Sequence, residues 1–265
     1  MTPPPAPALH KIRAWRTQGA LRQPFEDVVI AEAPIALVYN GRTHAVMMAT
    51  PSDLEDFALG FSLSEGVIAD VSEWRFIDAR SHSQGVSIEM HIPQSRFDAL
   101  LMRQRHFVGS SACGLCGTES LQAALRPVAA LKAQAGIFSS TAIHKALQQL
   151  AAAQPLNQAS GGVHAAGFAH RDGLLVREDV GRHNALDKLI GARARAGYGE
   201  GFAVITSRAS YELVHKTASA GIPLLATVSA PTSAAIELAH LCGLTLIAFA
   251  RGERMNLYTH PQRLL

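Results

Sequence analysis

Two cysteines separated by two residues are the clearest candidates for chemistry in this chain. Cys113 and Cys116 stand in the small-residue segment SSACGLCG, and Thr118 opens a stretch that predicts a helix. The thiolate is the reactive form of cysteine, and its pKa falls both in a CxxC pair and at a helix N-terminus. The first cysteine of such a pair is usually the exposed one. We therefore interpret Cys113 as a nucleophile and Cys116 as its helper or resolving partner.

Several chemistries compete for this pair. A structural zinc ion needs four ligands; the pair supplies two, and nothing in the spacing of Cys242 or a histidine compels the rest. A zinc deaminase carries H-x-E upstream of its cysteines, and none of the 12 histidines is followed by glutamate at the second position. A thioredoxin-like pair follows an early βαβ strand, whereas this one lies mid-chain in a predicted loop. The spacing favours thiol chemistry without a bound metal over inert buried cysteines, and Cys242 is expected to be a buried packing residue.

Four predicted strand ends in the second half lead into loops rich in Ser, Thr, Gly and Arg. They are residues 179–184, 206–210, 229–233 and 249–254. If the strands are parallel, these loops share the carboxyl edge of the sheet, where α/β proteins bind ligands. Helix N-termini supply free N–H groups and arginine supplies bidentate donors, which suit phosphate. The alternative is that the hydroxyls cap helices and the arginines are solvated. The clustering of four such loops favours a phosphorylated ligand, without a Walker A or GxGxxG sequence.

The candidate ligand-binding residues come from three of these loops. In the last loop Gly252, which lacks a side chain, lets the backbone approach a phosphate closely, and arginines flank it. His164 lies on a predicted strand and either faces this site or packs in the core, and His215 is expected to be a structural or surface residue. The candidates are Arg182, His183, Ser207, Arg208, Phe249, Ala250, Arg251, Gly252, Glu253 and Arg254.

The order of predicted elements indicates how the chain is organised. Residues 1–24 are expected to be a loose tail, residues 25–105 a smaller α+β part, and residues 106–265 an α/β part that carries the cysteine loop. Asn40-Gly41 between apolar runs predicts a hairpin, and residues 154–162 are expected to be a linker. Short apolar strands alternate with helices in the last part, which favours a layered α/β architecture.

Composition and charge exclude several classes of protein. The chain has 265 residues, of which 48% are hydrophobic and 17% charged; that is enough to bury a large core and excludes general disorder. No apolar run approaches the ~18 residues of a membrane helix. With no apolar signal-peptide stretch at the N-terminus, we expect a cytoplasmic protein without membrane contact. The net charge is +3, with no run of Lys or Arg, so we expect no nucleic-acid partner.

Five segments from residue 110 onward together resemble the FdhD family, the sulfur-carrier accessory proteins of formate dehydrogenase. Two N-terminal segments, EAPIALVYNG and TPSDLEDFALGFSLSEG, are also similar to it, so the resemblance covers nearly everything after residue 25. The five are SSACGLCG at 110–117, GGVHAAGF at 161–168, REDVGRHNALDKLIG at 177–191, ITSRASYELVHKTASAGIPLLATVSAPTSAAIELA at 205–239 and FARGERMNLYTH at 249–260.

The resemblance implies a fold and a function. The fold would be a cytidine-deaminase-like layered α/β/α sandwich, usually homodimeric, with the smaller α+β part added. Such proteins are sulfurtransferases that take sulfur from a cysteine desulfurase as a persulfide, carried here by Cys113. They pass it to the molybdenum or tungsten bis(guanine dinucleotide) cofactor, bound as a substrate, before its insertion into the formate dehydrogenase catalytic subunit. The family's cofactor-binding stretch corresponds to residues 249–254. Two alternatives stay open, namely a chaperone that binds this cofactor without chemistry and a zinc-stabilised structural module.

Overall fold

A computed structural model of the protein describes residues 7–109, 128–131 and 137–265. Cys113 and Cys116 lie outside the described residues, as does the helix predicted to follow them. The architecture within the described ranges is mixed α/β, as the sequence predicted, with strands in three sheets.

The N-terminal part contains a two-stranded ribbon and a four-stranded sheet. The ribbon is the antiparallel pair β1 and β2, and the sheet has β3 and β6 parallel at its centre, with β4 and β5 antiparallel at the edges. One helix packs its buried face on this sheet and a second follows it. The elements are β1 Leu9–Gln18, β2 Leu21–Ile30, β3 Ala33–Tyr39, β4 Arg42–Ala49, α1 Leu54–Ser64, β5 Arg75–His82, β6 Gly85–His91 and α2 Gln94–Gly109.

The C-terminal part is built on a six-stranded sheet. Its elements are α3 Ser140–Ala152, α4 Pro155–Ser160, β7 His164–His170, β8 Gly173–Asp179, α5 Arg182–Ala196, β9 Phe202–Ile205, α6 Tyr211–Ser219, β10 Leu224–Thr227, α7 Ser233–Cys242, β11 Thr245–Arg251 and β12 Arg254–Leu257. The strand order is β12-β11-β10-β9-β7-β8, with β9, β10 and β11 parallel. Short 3₁₀ helices lie at Val71–Glu73 and Pro261–Arg263.

The sheet of the C-terminal part is covered on both faces, because successive side chains of a strand point to opposite faces. Ala203 and Ile205 of β9 pack with α5, α6 and α7. Phe202 and Val204 of the same strand pack with α3. The predicted layered sandwich is therefore present. Cys242, at the end of α7, is buried in the first of these cores as predicted.

Two stretches differ from the sequence-based expectation. Residues 9–30 form the β1–β2 ribbon, where a loose tail was expected over residues 1–24. The alternation of apolar and charged residues in this ribbon is weak, because both of its faces are largely exposed. Residues 155–160, expected to be part of a linker, form the short helix α4, which begins with Pro155 at its first position.

Helices α1 and α5 join the two parts at very close range. A Cβ atom built on Gly60 of α1 would lie 1.7 Å from the backbone oxygen of Asp187, and one on Gly191 of α5 would lie 1.9 Å from the backbone oxygen of Asp56. Only glycine allows the two backbones to touch in this way. The crossing therefore fixes the N-terminal part against the helix whose N-terminus begins at Arg182.

Candidate functional site

The four loops singled out in the sequence lie at one edge of the six-stranded sheet. β7 is antiparallel to both β8 and β9, so β8 runs in the same direction as β9, β10 and β11. Residues 179–184, 206–210, 229–233 and 249–254 therefore follow strand ends on the same side, which we call the carboxyl edge. The sheet is not wholly parallel, and the reversed β7 brings His164, its first residue, to this edge opposite Asp179.

Hydrogen bonds tie neighbouring loops of the carboxyl edge together. The backbone N–H of Ala209 donates to Ala230 O at 3.1 Å, and that of Thr232 donates to Ala209 O at 3.0 Å. The Arg251 Nε donates to the Val228 carbonyl at 3.1 Å, and the N–H of Phe249 donates to Ser229 O at 3.2 Å. The loops after β9, β10 and β11 thus form one connected rim.

The hydroxyls at two helix starts serve as N-caps. Ser210 accepts a hydrogen bond from Leu213 N at 3.4 Å, and Thr232 accepts one from Ala235 N at 3.2 Å. For these two residues the capping interpretation is correct. The helix α5 has Gly181 as its N-cap residue, without a capping side chain.

Arg182, His183 and His164 lie together at the end of the edge near β8, and their charges influence one another. The pKa of His164 is lowered, chiefly because the ring is half-buried and further because of the Arg182 guanidinium, against the opposing effect of Asp179. Burial also lowers the pKa of His183, although its Nε2 lies 2.7 Å from a carboxylate oxygen of Glu212. Both shifts favour the neutral imidazole, which leaves Arg182 as the guanidinium cation beside these two rings.

Ser207 and Arg208 lie in the loop after β9. Ser207 is buried and its hydroxyl donates to the Arg208 carbonyl at 3.2 Å. The Arg208 side chain is exposed and forms no ion pair with any described residue. Of the two candidates, Arg208 is the one whose side chain is available to a ligand.

The end of β11, its two-residue turn and the start of β12 form the other end of the edge, so that the structure places most of the predicted loop 249–254 in strands. The strand pairing is irregular between Ala248 and Arg251, and Phe249 has φ of 52° with its side chain 46% exposed. Ala250 is buried, whereas Arg251, Gly252, Glu253 and Arg254 are exposed. Gly252 has φ of 57° in the tight turn, a conformation that favours glycine.

The candidates are spread along the edge, with residues 249–254 at one end, Arg182 and His183 at the other, and Ser207 and Arg208 between them. The strand order places β11 and β8 four strand spacings apart, which is about 19 Å. Arg251 and Arg254 therefore cannot hold the same phosphate as Arg182, and Arg208 lies between them. The structure assembles one basic edge, but not a single phosphate pocket from all ten predicted residues.

A buried ion pair that sequence reasoning missed holds the β8–α5 loop in place. The Lys188 Nζ lies 2.7 Å from an Asp179 carboxylate oxygen, and both side chains are fully buried. Asp179 also accepts hydrogen bonds from Gly181 N at 2.8 Å and Asn184 Nδ2 at 3.0 Å. Thr50, after β4, donates its N–H to Asp179 at 3.0 Å. These contacts position Arg182 and His183 from both parts of the molecule.

A second buried network, which we call the buried seam, joins α1, α5 and α6 and consists of Ser64, Glu65, Asp187 and Lys216. The Lys216 Nζ lies 2.9 Å from Asp187 Oδ2 and 2.8 Å from Glu65 Oε1, and it donates to Ser64 Oγ at 3.0 Å. Burial alone would lower the pKa of Lys216, but the carboxylates of Asp187 and Glu65 outweigh it and the pKa is raised.

The spacing of polar residues in α5 was the signal that could have revealed these networks. Asn184, Asp187, Lys188 and Gly191 occupy positions i, i+3, i+4 and i+7, which lie along one face of a helix. All four are buried. A helix face of this composition must be matched by polar partners from another element, because unpaired buried charges are costly.

A cavity of about 880 Å³ lies between α1, α2, α5 and α6. His215, expected to be an ordinary residue, lines this cavity, as do Arg103 and Val128. In the sequence, Cys113 and Cys116 lie between Arg103 and Val128. Among the described residues no group of three His, Cys, Asp or Glu side chains lies close enough to hold a metal ion.

Membrane insertion through a helix finds no support in the described ranges, since none of the helices there combines enough length with enough apolar character to cross a bilayer.

The structure is thus that of a layered α/β protein with an added α+β part, in which the loops at the carboxyl edge of the six-stranded sheet carry several arginines. The sequence model of the FdhD/NarQ family matches residues 30–265. The chain belongs to this family.

Relatives with known names agree with this assignment. A protein from Xanthomonas oryzae pv. oryzae (strain MAFF 311018) named sulfur carrier protein FdhD is 52% identical over 253 residues, which cover 94% of this chain and 90% of that protein. One of the same name from Cupriavidus necator is 46% identical over 265 residues, covering 98% and 91%. A crystal structure from Desulfotalea psychrophila, of a protein proposed to be a formate dehydrogenase accessory protein, superposes with a TM-score of 0.75 at 25% identity, covering 98% of this chain and all of that one.

Proposed function

We propose that this protein is a sulfur carrier for the maturation of formate dehydrogenase. It accepts sulfur from a cysteine desulfurase as a persulfide on Cys113 and transfers it to the molybdenum or tungsten bis(guanine dinucleotide) cofactor before that cofactor enters the enzyme. The observation that carries the proposal is the 46–52% identity, over at least 94% of this chain, to proteins named sulfur carriers, in a chain with a CxxC pair.

The loading step is a thiol–persulfide exchange. The Cys113 thiolate attacks the terminal sulfur of the desulfurase persulfide, and the donor cysteine leaves as a thiolate. One S–S bond breaks and one forms, so no net oxidation occurs. The rate depends on the thiolate fraction of Cys113, which a CxxC pair raises.

The release step uses the second cysteine. The Cys116 thiolate attacks the inner sulfur of the Cys113 persulfide, and the terminal sulfur departs as sulfide to the metal of the cofactor. The sulfane sulfur is reduced by two electrons and the two cysteines become a disulfide. A dithiol reductant then restores both thiols.

The carboxyl edge supports the binding of a cargo with several phosphates. Arg251 and Arg254 lie at one end, Arg182 at the other and Arg208 between them. Because the two ends are about 19 Å apart, an extended ligand with two phosphate-bearing halves fits this edge better than a mononucleotide. A bis(guanine dinucleotide) has that character, and the helix N-termini of α5 and α6 add N–H donors at the same edge.

Further features of the proposal concern partners and location. The partners are a cysteine desulfurase, the catalytic subunit of formate dehydrogenase and a second copy of this chain in a homodimer. The protein works in the cytoplasm, where thiols stay reduced between cycles. Neither nucleic acid nor membrane takes part.

Mass spectrometry after incubation with a cysteine desulfurase and cysteine tests the chemistry. One added sulfur is expected on the peptide that contains Cys113, and Cys113→Ala should abolish both this adduct and the activation of formate dehydrogenase. Cys116→Ala should load sulfur but release it poorly. Cys242→Ala is the matched control, since Cys242 is buried, and should load like the parent.

The same variants distinguish the alternative of a chaperone that binds the cofactor without chemistry. A chaperone would activate formate dehydrogenase equally well after Cys113→Ala. Normal activation by that variant, with the protein folded, would reject the carrier mechanism and leave cofactor binding as the function.

A further inference from the structure

The β1–β2 ribbon has no role in the function proposed above. It covers residues 9–30, ahead of the stretch matched by the family model, which begins at residue 30. Most of its side chains are exposed on both faces, including Trp15 at 54% and Leu21 at 77%. A two-stranded ribbon is marginally stable alone, and a third strand or a packed face stabilises it.

The register of the ribbon shows which backbone groups point outward. The N–H of Ala31 donates to Ala8 O at 2.8 Å, so these residues form a hydrogen-bonded pair. Hydrogen-bonded and non-bonded pairs alternate along an antiparallel ladder. The odd-numbered residues of β1 and the even-numbered residues of β2 therefore direct their backbone groups away from the partner strand.

The outer edge of β2 is protected against pairing. Pro24 occupies an outward-facing position and has no N–H to donate. The outward N–H of Val28 is already bonded to the Asp27 carboxylate at 2.9 Å. Proline is a device that prevents strand addition at an edge, and an N–H that is already bonded to a neighbouring carboxylate is not available to pair with a further strand.

The outer edge of β1 has neither device. The outward backbone N–H groups of Lys11, Arg13 and Trp15 form no hydrogen bond with any described residue. The strand contains no proline and no acidic residue. Within the part of the chain that the structure describes, the edge of β2 is thus closed and the edge of β1 is open to a further strand.

The open edge is also basic. β1 carries Lys11, Arg13 and Arg16 without an acidic residue, whereas β2 carries Glu26 and Asp27. Lys11 is already paired with Glu26, at 2.9 Å diagonally across the ribbon. Arg13, which lies opposite Glu26 in the register, and Arg16 form no ion pair with any described residue. The Arg16 guanidinium lies over the Phe25 ring, 4.3 Å from its centroid. Arg16 is therefore held on one face of the ribbon, and the Arg13 side chain lies on the opposite face.

We propose that the outer edge of β1 receives an extended acidic segment of a partner protein as a third strand. Backbone hydrogen bonds to the odd-numbered residues would supply the pairing, and carboxylates beside Arg13 and Arg16 would set the preference for acidic sequences. The exposed Ile12 and Trp15 side chains, on opposite faces, would each cover an apolar residue of the incoming strand.

Two other occupants fit the ribbon less well. A second copy pairing β1 with β1 would bring six cations and no acid into two adjacent strands, because each β1 carries three. Single-stranded nucleic acid would neutralise the cations but would leave the outward N–H groups of β1 without the regular acceptors that a strand provides.

Fluorescence anisotropy of the full-length protein with a labelled acidic peptide tests the proposal. The probe is an octapeptide of alternating Val and Glu, compared with one of alternating Val and Lys. A third probe has the acidic sequence with every backbone nitrogen methylated, which keeps the charge and removes strand pairing. We expect saturable binding of the acidic probe alone, weakened about 10-fold or more by methylation or by the double substitution Arg13→Gln and Arg16→Gln.

The matched control is Arg42→Gln with Arg75→Gln, two exposed arginines on the four-stranded sheet, which should change the affinity less than about twofold. Equal affinity of the methylated probe would show that charge alone binds the peptide and would overturn strand addition. Tighter binding of an oligothymidine of equal charge would assign the edge to nucleic acid. A dimer that Thr17→Pro converts to monomer would assign it to a second copy. Either result rejects the proposal.

Discussion

The buried seam and the carboxyl edge use the same kinds of charged residue under opposite conditions. In the seam, Lys216 is nearly inaccessible and is surrounded by Asp187, Glu65 and Ser64 at 2.8–3.0 Å. At the edge, Arg208 and Arg251 are exposed and form no ion pair with any described residue. A charge in the interior needs a fixed partner, because water cannot solvate it. A charge at the surface is stable without one and stays available to an anion.

The same contrast between buried and exposed polar residues occurs within a single sequence segment. REDVGRHNALDKLIG contains Asp179, Asn184 and Lys188, which are buried and bind each other and residues of the N-terminal part. The same segment contains Arg182 and His183, which lie at the edge. Burial, rather than residue type, therefore separates the residues with structural contacts from those that we propose to contact a ligand.

The largest effect is expected from Lys216→Met. Removing one partner of a buried ion pair leaves Asp187 uncompensated, and we expect the free energy of unfolding to fall by about 3–5 kcal/mol. Urea denaturation measures it. Arg208→Met, at the exposed edge, is the matched control and should stay within about 0.5 kcal/mol. If both substitutions had equal effects, the distinction between seam and edge would fail.

Gly191→Ala should have the next largest effect. The added Cβ would lie 1.9 Å from the Asp56 backbone oxygen, so α1 and α5 must move apart, at a cost of about 3 kcal/mol. Gly199→Ala is the control, because nothing lies within 4 Å of a Cβ at that position. Thermal unfolding of the two variants compares them. An unchanged melting temperature for Gly191→Ala would show that the helices tolerate a wider separation.

At the edge we expect changes in affinity without changes in stability. We compare guanosine diphosphate binding by Arg251→Ala, Arg254→Ala and Arg182→Ala. Loss of an arginine that touches the diphosphate should weaken binding by about 1.5–3 kcal/mol, which is roughly one to two decades in Kd. Because the two ends are far apart, a single diphosphate should depend on one end only. Isothermal titration with Arg75→Ala as control measures this. Parent-like affinity in all three variants would place the phosphate site elsewhere.

The smallest effect concerns alkaline pH. Burial raises the pKa of Tyr39 above its ordinary value of 10.0, while a hydrogen bond with Ser62 at 2.8 Å opposes the rise. A raised folded-state pKa contributes stability below pH 10 that is lost as the pH rises toward the folded-state pKa, and Lys216 acts in the same direction above 10.5. Stability should therefore decline above about pH 10.

Tyr39→Phe isolates this contribution. Loss of the hydroxyl hydrogen bond should cost about 1 kcal/mol at pH 7, and the decline above pH 10 should become shallower. Tyr258→Phe, at a half-buried position, is the control. A steeper alkaline decline in Tyr39→Phe than in the parent would reject the role of this phenol.

The sequence by itself determined the layered α/β class, most strand and helix positions, and the loops that follow the strands. These features depend on local periodicity and on turn residues such as Asn40-Gly41, which act over a few positions. The family was also readable from the sequence, because its segments are long. The roles of Cys113 and Cys116 remain predictions from the sequence, since the pair lies outside the described residues.

Only the tertiary structure decided which polar residues are buried and which lie at the carboxyl edge. Lys188 meets Thr50 138 positions earlier in the chain, and Lys216 meets Ser64 from 152 positions away. The ribbon at residues 9–30 escaped prediction because, with both faces exposed, it lacks the apolar alternation that burial imposes on a strand. The division of the arginines between two ends of the edge likewise follows from strand order, which places β8 and β11 four strands apart. Contacts between distant segments leave no local pattern, so the chain alone could not specify them.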